Sequence, residues 1–585
     1  MSPGVAMGRA VFWLTEGDAA PRRTLEPDEI AGELDRFRTA AREAVEEIER
    51  TAEEVHHRLG PEYAAIFHAH ALFLKDRTFL GPIERRIEAE AVSAEWAVSS
   101  VTESLAARFR DLPDENLVHR GADLEDVARS LRRHLGDAAL SPVRMDGLEG
   151  DGIVLIADEL TPSDAVRIPR EKVVGFVTER GGRTSHVAIL ARSFGIPAVV
   201  GVPRLLSSLA EGDRVIVDGL EGVVWREPTD DLIALFEDRR SREEERQRSL
   251  RERSVSGAVR TLDGYELAIR ANIELASEIP DVLEFGADGV GLFRSEFLYL
   301  SSPDAEFPDE AEQAAIYRDA VTRLAPRPVV IRTWDLGGKK GYRQLAGLEE
   351  SNPVLGLRGI RLCFKRPAMF RTQIRALLRA ATSGDLRILI PMISGIEEIR
   401  RVRTLVEDQR EELRNEGVSV PDRVLIGTMI EVPAAAIMAD LLAAEVDFMS
   451  LGTNDLIQYT LAVDRANETV SELFRPHHPA VLRLIARVAE AAREAGKPVS
   501  VCGEMAGDPI FFMLLLGLGI REFSMGPRAV PALKEVARTL SVADAQRVAR
   551  AALTLATADE VAALLSREGH TPLSGELAVR SREVT

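Results

Sequence analysis

Two cysteines in 585 residues, Cys363 and Cys502, cannot build a disulfide framework. Aromatic residues are scarce too, at 5% of the chain, while charged residues make up 29% and apolar usage is ordinary at 45%. That composition describes a globular chain rather than a disordered one. No apolar run reaches the roughly 20 residues needed to span a bilayer. The opening MSPGVAMGRAVFWL lacks the basic start, apolar middle and small-residue cleavage site of a signal peptide. A basic excess is missing as well: Asp plus Glu number 94 against 74 Lys plus Arg, for a net charge of −20. A chain of that sign suits nucleic acid poorly, because a phosphate backbone wants a basic face. The expectation is a cytoplasmic enzyme with no membrane insertion and no nucleic-acid partner, whose local arginines can still hold small anions.

The length is too great for one core, so several domains are expected. A strand-rich start, VAMGRAVFWL, gives way after Asp28 to a different pattern. Leu34, Phe37, Ala41, Val45, Ile48, Ala52, Val55 and Leu59 recur at steps of three and four, which is one face of a long amphipathic helix. Helical patterning continues to about Leu135-Gly136. From Gly152 the period changes to short β-branched runs, GIVLIADEL, KVVGFVTE, PAVVG and DRVIVDG, broken by Gly, Pro and Asp. Residues 1–20 and 143–228 thus read as one small α/β domain with an all-helical domain, 21–142, inserted in it. The charge-rich stretch 229–258 reads as a solvated linking helix.

After Thr261, seven apolar strands alternate with helices: LAIRANIE, GVGLFRSE, VVIRTWDLGG, RILIPMIS, VLIGTMIE, DFMSLGTND and PVSVCGEM. An eighth is expected near GLRGIRLC. The pattern predicts a parallel sheet closed into a (β/α)8 barrel over 259–575, with its chemistry at the C-terminal ends of the strands. The fold class is therefore α/β multidomain.

Several residues stand where chemistry could occur. In GGRTSH, Thr184 or Ser185 can cap the following helix and place His186 in its first turn. The positive helix end there disfavours imidazolium and attracts phosphate, which suits a neutral imidazole nucleophile. In the barrel, Arg294, Arg332 and Arg465 lie beside strand ends, with Lys340 and Arg358 in neighbouring loops. Guanidinium forks match carboxylate and phosphate, so several at one rim point to a multiply charged anion. Glu431 and Asp455 close IGTMIE and SLGTND, and two such carboxylates can hold one hard cation. Cys502, beside Glu504, is a thiol that can donate a proton. Taken singly, each has a structural alternative: a capping loop, surface ion pairs, a buried apolar thiol.

Together they resemble one family. SPGVAMGRA, GGRTSHVAILARSFGIPAVVG, GVGLFRSEFLYL, VVIRTWDLGGKK, NPVLGLRGIRLC, IGTMIEVPAA, SLGTNDLIQYTLAVDR and VCGEMAGD look like Enzyme I, the phosphoenolpyruvate-protein phosphotransferase of the bacterial sugar-phosphotransferase system. The resemblance runs over nearly the whole chain. It implies a swivelling phosphohistidine domain, an inserted helical domain that binds the carrier HPr, and a barrel that binds phosphoenolpyruvate and joins a homodimer. His186 would take the phosphoryl group on its tele nitrogen. Arg294, Arg332, Asn454, Asp455 and Arg465 would hold phosphoenolpyruvate, Glu431 and Asp455 would ligate Mg2+, and Cys502 would protonate the enolate to give pyruvate.

Some positions depart from the family pattern. Val187 replaces a hydroxyl residue after the histidine, and Lys339 stands where Asp is usual. In the helical domain His68, Lys75-Asp76-Arg77 and Glu125 change the charges expected on the carrier-facing surface. A dikinase or synthase sharing the histidine domain and barrel would need a large ATP-binding domain before the histidine, and the roughly 150 residues there read as helical without a Gly-rich phosphate loop. A silent metabolite-binding regulator would be expected to have lost one of the reactive residues, and all are present.

Overall fold

A computed structural model describes residues 4–13, 21–59, 67, 70–110, 115–136, 152–161, 164, 172–180, 196–219, 221–255, 257–300, 307–337, 352–465 and 467–568. The chain divides into two compact units, residues 1–244 and 245–585.

The first unit contains a six-stranded sheet in the order β4-β3-β2-β1-β5-β6. Its strands are β1 (Val5–Phe12), β2 (Ile153–Ala157), β3 (Val173–Thr178), β4 (Ala198–Val199), β5 (Arg214–Asp218) and β6 (Val223–Arg226). The run IVLIA is buried at every position, as expected of a strand covered on both faces. β1 pairs parallel with β2, Arg9 opposite Ile153, and antiparallel with β5, Val5 opposite Asp218. Gly8 allows the close approach of β1 to β2, since a Cβ there would lie 2.0 Å from the Gly152 carbonyl oxygen.

Between β1 and β2 the chain forms helices Ile30–Leu59, Arg77–Glu90, Ala94–Arg110 and Glu115–His134. Six of the eight stripe residues of the first helix face the core: Leu34, Phe37, Ala41, Ile48 and Ala52 are buried and Val45 packs beside them, while the side chains of Val55 and Leu59 lie outside those described. Ile83, Val98 and Leu131 from the other three helices complete that core. Glu33 ties the helices together, because its carboxylate accepts from Ala94 N at 2.7 Å and from Arg36 at 2.6 Å.

The charged stretch forms a helix, Asp230–Val255. Its last turn is fastened to the barrel: Lys534 Nζ, fully buried, donates to Ser254 O at 3.2 Å, Gly286 O at 2.6 Å and Asp288 Oδ1 at 2.9 Å. All three ammonium protons are used, which is what burying this charge requires.

The second unit holds a closed parallel barrel. Hairpin strand β7 (Val259–Arg260) leads into β8 (Glu266–Ile273). Then follow β9 (Val290–Arg294), β10 (Val329–Arg332), β11 (Leu386–Ile390), β12 (Leu425–Ile430), β13 (Phe448–Leu451), β14 (Val499–Val501) and β15 (Glu522–Met525). β15 pairs with β8, Ser524 opposite Arg270, and closes the ring. Leu292, Val330, Leu389, Met429, Phe448 and Cys502 pack together from the strands, and a far larger apolar layer joins strands to helices.

One strand expectation fails. GLRGIRLC does not supply the eighth strand: Ile360–Lys365 is a helix, with Ile360, Leu362 and Cys363 buried, and Gly359 before it has φ 55°. A backbone in that region ends an extended run. The eighth strand is EFSM, four residues of which two are polar. Glu522 within it is paired with Arg270 at 2.7 Å.

Candidate active site

The site at the C-terminal rim begins with two arginines that end their strands. Arg294 closes β9 and Arg332 closes β10, side by side in register. Arg332 is buried and held by carboxylates on two sides, Glu296 on one and Asp335 Oδ2 at 3.0 Å on the other. Arg358, from the loop before Ile360–Lys365, grips the same Asp335 through Nη2 at 2.8 Å and Nε at 3.2 Å. Its Nη2 also reaches Asp455 Oδ2 at 3.0 Å, and its Nη1 donates to the Tyr459 hydroxyl at 3.1 Å. One continuous network, Glu296–Arg332–Asp335–Arg358–Asp455, therefore crosses the rim. For both arginines burial lowers the pKa, but the flanking carboxylates outweigh it and hold the charged form. Removing one partner of such a buried pair leaves a charge uncompensated, at a cost of about 3–5 kcal/mol.

Glu431 follows β12 directly and is 1% exposed, with Oε1 accepting from Met392 N at 2.6 Å. Burial, then the nearby Asp455 and Asp335 carboxylates, push its pKa up to about 8. Asp455 lies not on β13 itself but in the first turn of helix Thr453–Leu461. Two carboxylates thus meet where negative charge is in excess. A hard divalent cation favours that donor set, keeping waters and sharing a substrate phosphate, so the residues present fit Mg2+. Among the described residues no group of three or more His, Cys, Asp or Glu is placed to hold a metal by protein ligands alone.

Cys502 follows β14 and is buried, packed with Leu292, Val330 and Met429. Burial pushes the thiol up, against a smaller opposing pull from the Ser450 hydrogen bond and from Arg332 and Arg294. Ser450 Oγ donates to Sγ at 3.4 Å, and Sγ faces Leu451 O at 3.5 Å. At neutral pH this is a protonated sulfur, the form that can give a proton away.

Asn454 and Arg465 converge on one carboxylate. Asn454 Nδ2 donates to Glu504 Oε1 at 2.9 Å and its Oδ1 accepts from Glu504 N at 3.0 Å, while Arg465 Nη1 lies 3.5 Å from the same Oε1. Arg294 is paired with Glu274 at 2.9 Å. Ion pairs and hydrogen bonds join Arg332, Arg358 and Asp455 in one network and place Asn454 and Arg465 in a second. Arg294, Arg332 and Glu431 all lie close enough to bear on the Cys502 thiol. Sequence reasoning misses Asp335, Glu296 and Tyr459. The signal for Asp335 was available: it sits three residues after Arg332, in the loop leaving a barrel strand. His186, Val187, Lys339 and Lys340 lie outside the described residues.

Three family models of PEP-utilising enzymes match the chain in succession: the N-terminal one over residues 1–120, the mobile domain over 148–222 and the PEP-binding domain over 248–542. The last spans all the barrel strands, so fold and site together define a PEP-utilising enzyme. The phosphoenolpyruvate-protein phosphotransferase of Geobacillus stearothermophilus is 42% identical over 97% of this chain and 96% of its own length. That of Staphylococcus carnosus (strain TM300) is 40% identical over 96% and 97%. This chain belongs to the phosphoenolpyruvate-protein phosphotransferase family, and it is a phosphotransferase. A solution structure of an Enzyme I protein matches 42% of this chain and 97% of its own at 38% identity, with a TM-score of 0.35.

Proposed function

We propose that this chain moves the phosphoryl group of phosphoenolpyruvate to its own His186, releases pyruvate, and passes the group to the histidine of an HPr-type carrier at the head of a sugar-uptake relay. The observation that carries the reading is the rim itself, where Arg332 and Arg358 are fixed between carboxylates beside a buried, protonated Cys502. Arg294, Arg332, Asn454, Asp455 and Arg465 bind the substrate, and Glu431 with Asp455 holds Mg2+. The chemistry Mg2+ supplies when bound is neutralisation of charge on the phosphoryl oxygens. The neutral His186 imidazole attacks phosphorus, the bond to the enolate oxygen breaks, and the Cys502 thiol delivers its proton to the enolate carbon. Residues 1–20 and 143–228 form the phosphohistidine domain in this proposal, 21–142 the carrier-binding domain, 229–258 the linker, and 259–575 the barrel through which a cytoplasmic homodimer assembles. Among the described residues no helix is long and apolar enough to cross a membrane.

Glu431→Gln and Asp455→Asn are expected to raise the Mg2+ concentration for half-maximal labelling by phosphoenolpyruvate at least about 10-fold. Thermal midpoints should fall far less in proportion. Variants that merely unfold, with ordinary metal dependence while folded, would make the pair structural.

The carrier-facing charges give a second expectation. Lys75 is paired with Glu49 at 2.5 Å and Asp76 caps its helix by accepting from Thr78 N at 2.8 Å, so both are built into the helical fold. His68 lies outside the described residues. Opposite charge steers encounter and fixes orientation. This enzyme should therefore phosphorylate its own organism's HPr-like carrier much faster than carriers matched to relatives with the usual charges. The advantage should shrink with salt, since screening acts over about 8 Å at physiological ionic strength. Equal rates to both carriers at low salt would show that these substitutions carry no specificity.

A further inference from the structure

We propose that Asp335 is a positioning residue of the transfer site, fixing the Arg332 and Arg358 guanidiniums in one arrangement while touching neither substrate nor metal. The inference rests on the reading above, in which this rim receives phosphoenolpyruvate.

Asp335 is where the two arginines meet. Its Oδ2 lies 3.0 Å from Arg332 Nη1 and 2.8 Å from Arg358 Nη2, and its Oδ1 lies 3.2 Å from Arg358 Nε. Each guanidinium is then held a second time from another element: Arg332 by Glu296, Arg358 by Asp455 and Tyr459. Both Asp335 oxygens are occupied by guanidinium protons, which leaves the carboxylate a poor third metal ligand.

The backbone is shaped to bring these groups together. Gly337, at φ 121°, lets the loop after β10 press on the loop that carries Arg358, because a Cβ there would come within 2.4 Å of Leu357 O. Gly359 N donates to Leu336 O at 3.2 Å, and a Cβ on Gly359 would sit 3.2 Å from Asp335 Oδ1. Two glycines without room for a side chain thus seat Arg358 against Asp335.

A purely structural salt bridge is the competing account, and the rate of transfer in a folded variant separates the two. Glu296 and Asp455 each keep a carboxylate on one of the two guanidiniums when Asp335 is changed. Asp335→Asn therefore leaves each arginine one carboxylate partner while losing the charged acceptor that joins both forks. A misplacement of about 1 Å at a transfer site costs about 10²-fold in rate.

The test uses the full-length chain with saturating Mg2+ and labelled phosphoenolpyruvate. In Asp335→Asn, kcat should fall and KM rise, together lowering kcat/KM about 10²-fold, measured on protein that its melting curve shows to be folded at the assay temperature. Back-transfer from phosphorylated HPr to His186, which does not use the barrel, should keep its parental rate. A folded Asp335→Asn whose kcat and KM match the parent's would overturn the inference. Should that variant fail to fold, Arg358→Lys decides, because one ammonium cannot span Asp335, Asp455 and Tyr459 as the fork does. A loss of about 10-fold or more supports the proposal, and parental kcat/KM in folded Arg358→Lys overturns it. Absence of label on the parent chain would overturn the functional reading itself, and this inference with it.

Discussion

His186→Ala takes no acid-labile label from phosphoenolpyruvate, yet its barrel still binds phosphoenolpyruvate and Mg2+. That is the expected result, and it is the largest effect the proposal makes available. The groups assigned to bind substrate, Arg294, Arg332, Asn454, Asp455 and Arg465, belong to the second compact unit, whereas residue 186 belongs to the first. Binding and phosphoryl acceptance should therefore come apart in this single variant. A phosphohistidine is labile in acid, unlike a phosphoserine or phosphothreonine, so the chemistry of the label also separates His186 from the hydroxyls of Thr184 and Ser185 beside it. Acid-labile label persisting on His186→Ala would mean that another histidine accepts the group.

The second large effect is expected at Cys502. Cys502→Ala should bind phosphoenolpyruvate and Mg2+ normally but form pyruvate about 10²- to 10⁴-fold more slowly, the range for a lost general acid. The thiol suits that role because burial raises its pKa and keeps the proton on sulfur. Substitution should cost little in folding by comparison, since the side chain is small and Leu292, Val330 and Met429 pack around it. Measuring pyruvate release and bound phosphoenolpyruvate on the same sample distinguishes the two. Unchanged pyruvate formation would leave Cys502 as a packing residue.

The strands that sequence reveals best are those whose burial leaves a continuous apolar trace. LRILI and LIGTMI, forming β11 and β12, are almost wholly buried, and their apolar runs mark them as strands in the sequence alone. EFSM, four residues with a glutamate and a serine, carries no such trace; its place is set by pairing with β8 on one side and β14 on the other. Conversely, GIRLC has apolar residues dense enough to suggest a strand, and it becomes a helix after Gly359 turns the chain, with Ile360 and Cys363, three apart, buried on one face. The same distinction governs the site. Arg294, Arg332 and Glu431 were legible because each ends or follows a strand directly. Which carboxylate each arginine would meet was not, since Arg358 reaches Asp455 across 97 positions and Asn454 reaches Glu504 across 50. Only the closure of the barrel brings such pairs together.

The central claim is that the phosphoryl group of phosphoenolpyruvate comes to rest on a histidine of this chain. Its most direct test is to incubate the intact protein with Mg2+ and phosphoenolpyruvate labelled in the phosphoryl group, then to follow label and pyruvate together. The account predicts one pyruvate released for each phosphoryl group bound, and a label lost in acid, retained in base and mapped to the GGRTSH segment. A chain that stays unlabelled while phosphoenolpyruvate is consumed, or that carries an acid-stable label, would contradict it.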